Sequence, residues 1–273
     1  MKNLYKILEH NGKPMFKEDL IELLNKLNIK KGDTVILHVS LKAFGYLIGG
    51  EATLIETILQ CLGEEGTLVM PAQSVEIMDP RFWKYPAVPQ MWHEKIRGAI
   101  EPYNKMNTPV GRGLGIVAKY FCNREGVKRS DHPLYSFCAY GKRAEEILEN
   151  HPLDYGLGKM SPLGKLYSLE TKVLMLGTDF ESNTSIHLAE YELGREDILE
   201  AAPLLIGGEK KWVQFKNVEL DVYDDFLDFQ EFFMNKCKDM MFVEEMYSGR
   251  AMAFQMIDCV NCARDYYLNK ECC

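Results

Sequence analysis

A chain of 273 residues, 47% hydrophobic and 26% charged, has the composition of a packed globular protein and argues against disorder. A formal charge of −8 argues against a general nucleic-acid binder, whose footprint is basic, and mildly favours cationic small molecules. No stretch approaches the ~18 consecutive apolar residues of a membrane span. The start, Met1–Lys2–Asn3–Leu4–Tyr5–Lys6, leads into mixed polar sequence without an apolar signal core, so a cytoplasmic protein is expected.

The elements follow in chain order. Leu20, Leu23, Leu24 and Leu27 recur at helical spacing and predict an amphipathic helix over 16–28. Lys31–Gly32–Asp33 turns into a short apolar strand at 34–39. A glycine-bearing loop (Gly45, Gly49, Gly50) leads to a helix at about 52–62, and a buried strand over 67–70 is closed by Pro71. Residues 72–112 hold five further prolines with Trp83 and Trp92 and show little periodicity. Long irregular segments in compact proteins are disordered or functional, and the aromatic content points to a substrate-facing insertion. Helices are expected near 113–123 and 142–150, a buried strand at 173–177, and a helix from about 185 to 194. Strands at 210–223 and 249–257 and helices near 228–240 and 257–269 complete the chain. With no repeat and no linker, the expected architecture is one domain over 1–273: a layered α/β/α fold around a central mixed sheet.

Eight cysteines raise the question of disulfides or metal. Cys61, Cys122, Cys138 and Cys237 stand singly among apolar neighbours and are expected to be buried free thiols in a reducing compartment. Cys259 and Cys262 have the spacing of a zinc half-site, but no second pair answers them, and Cys272–Cys273 lies at the chain end. No metal is expected.

The segment Leu176–Gly177–Thr178–Asp179 leaves a buried strand, and Asn183, Thr184 and Ser185 are helix N-cap residues. Ligands of open α/β sheets gather beyond the carboxyl ends of strands, where this loop lies. On the following helix His187, Glu190 and Tyr191 share a face opposite Ile186, Ala189 and Leu193. A carboxylate against an imidazole fixes its tautomer and steadies the imidazolium, so His187 suits a general base, with Glu190 or Asp179 as orienting partner. The same spacing fits an ordinary surface ion pair. Ser40–Leu41 to Gly49–Gly50 resembles a backbone cradle for phosphate, and Gly111–Arg112–Gly113–Leu114–Gly115 opens a helix with an arginine suited to anions, or is simply a glycine-rich turn. His132 precedes Pro133, which favours extended backbone, and either joins a polar cluster or is a turn histidine satisfied by backbone. His10, His38, His93 and His151 have no convincing sequence partners.

Taken in order, GDTVILHVSLKAFG with IGG, GTLVMPAQS, DPRFW, NTPVGRGLG, RSDHPLYSFCAYG, MSPLGKLY and VLMLGTDFESNTSIHLAEYE resemble the aminoglycoside N3-acetyltransferase family. These segments span roughly residues 30 to 195, and the last 75 or so match less distinctively. The resemblance implies a cytoplasmic enzyme that moves acetyl from acetyl-coenzyme A to an amine, with no metal. The family's H-x-x-[ED] motif falls on His187 and Glu190, and its preceding acid on Asp179. Its coenzyme-binding segments fall on His38, Val39, Ser40 and Leu41, on Thr108 and Arg112, and on Ser130, His132, Ser136 and Phe137. The implied chemistry is deprotonation of an ammonium by His187 and direct attack on the thioester, without an acyl-cysteine. An aminoglycoside acceptor would need carboxylates, for which Asp79, Glu76 and Glu94 are the candidates, with Glu101 behind them. The alternatives are acetylation of another amine or amino sugar, and coenzyme A binding without catalysis. The expected assembly is a monomer or homodimer.

Overall fold

The computed structural model describes residues 13–84 and 86–271; Met1–Lys6, His10 and Cys272–Cys273 lie outside them. The chain runs through α1 (Lys17–Lys26), β1 (Thr34–Val39), α2 (Gly50–Leu62), β2 (Thr67–Pro71), α3 (His93–Ala99) and α4 (Gly115–Cys122). It continues with β3 (Lys128–Arg129), β4 (Phe137–Gly141), α5 (Ala144–Leu148), α6 (Pro162–Ser168), β5 (Lys172–Leu176) and α7 (His187–Glu190). The hairpin β6 (Asp197–Ile206) and β7 (Glu209–Val218) follows, then α8 (Phe226–Lys236), β8 (Met241–Glu245), β9 (Arg250–Gln255) and α9 (Met256–Glu271).

Seven strands form one sheet in the order β3-β4-β2-β1-β5-β9-β8. The central trio β2, β1 and β5 is parallel, and both flanks are antiparallel, so the sheet is mixed as expected. Central parallel strands are covered on both faces, which is why TVILHV and KVLML read as near-continuous apolar runs. Alternation along each strand then divides the core. Val35, Leu37, Leu68, Met70, Leu174 and Leu176 pack with α1, α2 and α4 on one face. Ile36, Val69, Val173, Met175 and Phe254 pack with α6, α8 and α9 on the other. Leu20, Leu24 and Leu27 are fully buried, each worth about 1.5–3 kcal/mol on burial, so the leucine stripe of α1 secures one layer.

Several expectations are corrected. The segment 72–112 is not wholly irregular: α3 lies within it, beside short 3-10 turns. The helix expected over 185–194 is only the single turn His187–Glu190, continued backwards by a 3-10 turn, Thr184–Ile186. Tyr191 is its C-cap, and the chain turns at Gly194, at φ +71°, before it enters the β6–β7 hairpin. Cys61 and Cys237 are free thiols, but Cys122 and Cys138 are disulfide-bonded, with Cα atoms 5.7 Å apart. The pair arises because β4 returns antiparallel beside β2 and against the end of α4, a juxtaposition that single cysteines in apolar sequence do not announce. Among the described residues no cluster of His, Cys, Asp and Glu is arranged for a metal, and no helix is long and apolar enough to cross a membrane.

Candidate active site

The loops after β1 and β5 emerge at the same end of the sheet because these neighbouring strands are parallel. Gly177 brings them into contact. It ends β5 at φ +70°, and a Cβ there would collide with the Cβ of Ala43 in the 3-10 turn after β1. Beyond it Asn183 accepts the Ser185 N–H at 3.2 Å and the Ser185 hydroxyl at 2.5 Å, capping the turn that delivers His187.

His187 and Glu190 meet as the helical spacing requires. His187 Nδ1 lies 2.6 Å from Glu190 Oε2, with the His187 side chain 21% exposed and that of Glu190 1%. Glu190 Oε1 accepts from Arg195 NH1 at 2.7 Å and from the Asp221 N–H at 2.6 Å. Burial alone would raise the Glu190 carboxyl, but His187, Arg195 and the Asp221 amide together hold it below its ordinary value. The carboxylate is therefore ionised and accepts from Nδ1–H, which leaves Nε2 to face outward as the proton acceptor. Asp179 is exposed, and the carboxylate bonded to the ring is that of Glu190. Tyr191 turns away and donates to Asn217 Oδ1 at 2.6 Å.

His187 opens on a cavity of about 500 Å³ lined by His38, Val39, Ser40, Leu41 and Lys42 after β1 and by residues 113–118 around the start of α4. Gly113 and Gly115 face open space, so their backbone can be approached closely by a ligand. A helix N-terminus and Lys42 give this cavity a favourable end for anionic groups. His38 is 6% exposed, its Nε2 has no hydrogen-bond partner, and burial and then the nearby His187 hold its pKa down at about 3. A neutral buried imidazole without a partner fits a cavity that receives a polar ligand. The cavity thus suits a polar, anionic ligand that reaches His187.

The other coenzyme candidates sit elsewhere. Arg112 is exposed and its N–H donates to Glu76 Oε1 at 2.8 Å; its side chain does not line the cavity, and neither does Thr108. Ser130, His132, Ser136 and Phe137 are buried and bonded internally. His132 Nδ1 accepts from the Leu134 and Tyr135 amides, and its Nε2 is 3.0 Å from the Leu153 carbonyl. It is a turn histidine satisfied by backbone. Ser130 Oγ meets His151 Nδ1 at 2.9 Å, and Ser136 Oγ donates to the Ala72 carbonyl while accepting from Arg129. None of the four lines the cavity, and their polar groups are taken up by internal partners.

The expected acceptor acids lie outside the linings of the cavities at His187. Asp79 is fully buried, paired with both Arg81 and Arg97, and its own N–H donates to the Ala201 carbonyl at 2.8 Å. It pins the proline-rich segment to β6. Glu94 is 89% exposed beside Arg97, and Glu76 is held by the Arg112 amide. None of the three lines the cavity. The acids beside His187 are instead Glu181, Asp221, Asp224, Asp225 and Asp228, around a second cavity of about 470 Å³. Phe226 belongs to that cavity and packs on the His187 ring at 5.4 Å between centroids, while Glu181 lines both cavities. Asp225 is already bound to Lys270 and Tyr266; the other four are exposed. Their signal was present as four acids within residues 221–228, in a stretch that the sequence assigned partly to a strand.

The model of the aminoglycoside 3-N-acetyltransferase family matches residues 36–267. The chain belongs to the aminoglycoside 3-N-acetyltransferase family. The SPbeta prophage-derived aminoglycoside N(3')-acetyltransferase-like protein YokD of Bacillus subtilis (strain 168) is 39% identical over 267 residues, 97% of each chain. The crystal structure of YokD superposes with a TM-score of 0.92 over 98% of both chains. Aminoglycoside N(3)-acetyltransferase VIII of Streptomyces fradiae is 30% identical over 218 residues, 78% of this chain and 74% of that one. A coenzyme A complex of AAC-IIIb shares the fold at a TM-score of 0.83 and 22% identity, over 94% of this chain and 98% of that one. The expectations of an acetyltransferase of this family and of an α/β fold are met.

Proposed function

We propose that this protein is a cytoplasmic, single-domain, acetyl-coenzyme A-dependent N-acetyltransferase that acetylates the 3-amino group of an aminoglycoside, with His187 as general base. The observation that carries this reading is the position of the His187–Glu190 pair where two cavities meet, one suited to phosphate and the other acidic. The residues from His38 to Lys42 and the amides around Gly113–Gly115 would hold the coenzyme, which supplies the acetyl thioester. Glu181, Asp221, Asp224 and Asp228 would draw a polycationic amine towards His187. His187 Nε2 takes the ammonium proton, Glu190 steadies the resulting imidazolium, and the freed amine attacks the thioester carbonyl directly. The C–S bond then breaks, the nitrogen sheds its second proton to solvent, and the coenzyme A thiolate leaves, protonated by His187. Relatives named for aminoglycoside N(3)-acetyl transfer, 30% identical to this chain, support the reading. Coenzyme A release from acetyl-coenzyme A across an aminoglycoside panel tests it, and failure with every aminoglycoside would refute the proposed acceptor.

A further inference from the structure

Arg195 lies just beyond the turn that ends α7, and its side chain is 9% exposed. NH1 donates both to Glu190 Oε1 at 2.7 Å and to the Glu219 carbonyl at 2.9 Å. Its guanidinium stands over the Tyr223 ring, 5.7 Å from the centroid. The same Glu190 oxygen accepts the Asp221 N–H. One guanidinium and one carboxylate therefore join three separate pieces of chain: the turn bearing His187, the approach to β6, and the loop 219–225.

That loop holds two non-glycine residues in the left-handed region, Asp221 at φ 54° and Asp224 at φ 48°. Such backbone persists where its surroundings over-determine it, and here the pins are the two bonds from the loop to Glu190 and Arg195. Glu190 has a matching need. A buried carboxylate that loses its cationic partner is strongly disfavoured, and it would turn or take up a proton, either of which removes the acceptor from His187 Nδ1. His38, Asp221 and Tyr267 also face the pair, and none of them carries a positive charge that could replace Arg195.

We propose that Arg195 is the positioning residue of the pair: it fixes the Glu190 carboxylate on His187 Nδ1 and clamps the acid-bearing loop 219–225 to it. A cation arriving among those acids then meets a base already oriented. The second clause rests on the function proposed above, whereas the first does not. Both contacts come from the one nitrogen NH1, so a lysine ammonium, which keeps the charge and has several protons to donate, replaces them in large part.

The test compares wild type, Arg195→Gln and Arg195→Lys. In the resting protein, without coenzyme or amine, nuclear magnetic resonance reads the hydrogen-bonded Nδ1–H of His187. Steady-state kinetics reads kcat and the KM for acetyl-coenzyme A, and circular dichroism reports folding. The expected result is that Arg195→Gln folds, loses the protected Nδ1–H signal, and drops kcat about 100-fold with KM for acetyl-coenzyme A unchanged. Arg195→Lys regains the signal and most of kcat. A retained Nδ1–H with wild-type kcat in Arg195→Gln would overturn the proposal. So would equal losses in both variants accompanied by unfolding, which would make Arg195 a structural pin alone. If wild type turned over no amine, the resonance comparison would still decide the first clause.

Discussion

The carboxylate of Glu190 reaches His187 with one oxygen and the loop at Asp221 with the other, so the acid paired with His187 is also fastened to the acidic cavity. Glu190→Gln removes the charge and keeps the shape. The amide can still meet Nδ1, but it stabilises neither the required tautomer nor the imidazolium, so kcat should fall about 100- to 1,000-fold. Binding of coenzyme A, measured by calorimetry, should stay within about twofold. A Glu190→Gln protein with near wild-type kcat would return the pair to the status of a surface contact.

The acids around the second cavity make a separate prediction. Asp221→Asn combined with Asp224→Asn should raise the KM for a polycationic amine about two- to fivefold per carboxylate, leaving the KM for acetyl-coenzyme A unchanged. Added salt should raise the wild-type KM in the same direction. Glu94→Gln should change neither constant, since that side chain is exposed away from His187. Steady-state kinetics at two ionic strengths checks all three outcomes.

Much of the scaffold was legible. Apolar runs located β1, β2 and β5 because parallel central strands are buried on both faces, and helical spacing alone put Glu190 against His187. Other elements left a weaker local trace. β6 carries Pro203 within it and lacks strict alternation, and its readable mark was the Gly207–Gly208 turn, at φ 62° and 84°, which joins it to β7. The surroundings of several predicted site residues were not legible locally, for one reason. Whether Asp79, Ser130 or His132 faces a cavity or the interior is decided by Arg97, His151 and Leu153, each 18 or more residues away in the chain.

Asp79 gives a test that distinguishes a structural acid from a substrate acid. Asp79→Ala takes the buried carboxylate from Arg97, 16% exposed, leaving it the solvent-exposed Glu94 and the Trp212 ring, and removes the cap of the turn at Arg81. Unfolding free energy should drop by about 3 kcal/mol in chemical denaturation, with the KM for the amine unchanged in the folded fraction. Normal stability with a raised amine KM would restore Asp79 to the acceptor site.

Three buried histidines set the response to acid. Burial holds His132 and His38 down at about 3 and His151 at about 4, against an ordinary value of 6.5. The unfolded chain therefore binds more protons between those values, and stability present above pH 6.5 is lost as the pH falls towards 4. With three protons involved, the limiting slope is about 4 kcal/mol per pH unit. Denaturant titrations at pH 7 and about pH 5 should show the native state markedly weaker at the lower pH, and equal stabilities would contradict the burial of these rings.

Coenzyme A release by wild type and His187→Ala measures directly whether His187 takes the proton from an aminoglycoside amine. With acetyl-coenzyme A and a panel of aminoglycosides, wild type should release coenzyme in proportion to 3-N-acetylated product. Folded His187→Ala should bind acetyl-coenzyme A and release coenzyme at least about 100-fold more slowly. Full turnover by folded His187→Ala would contradict the account, as would wild type inert towards every aminoglycoside.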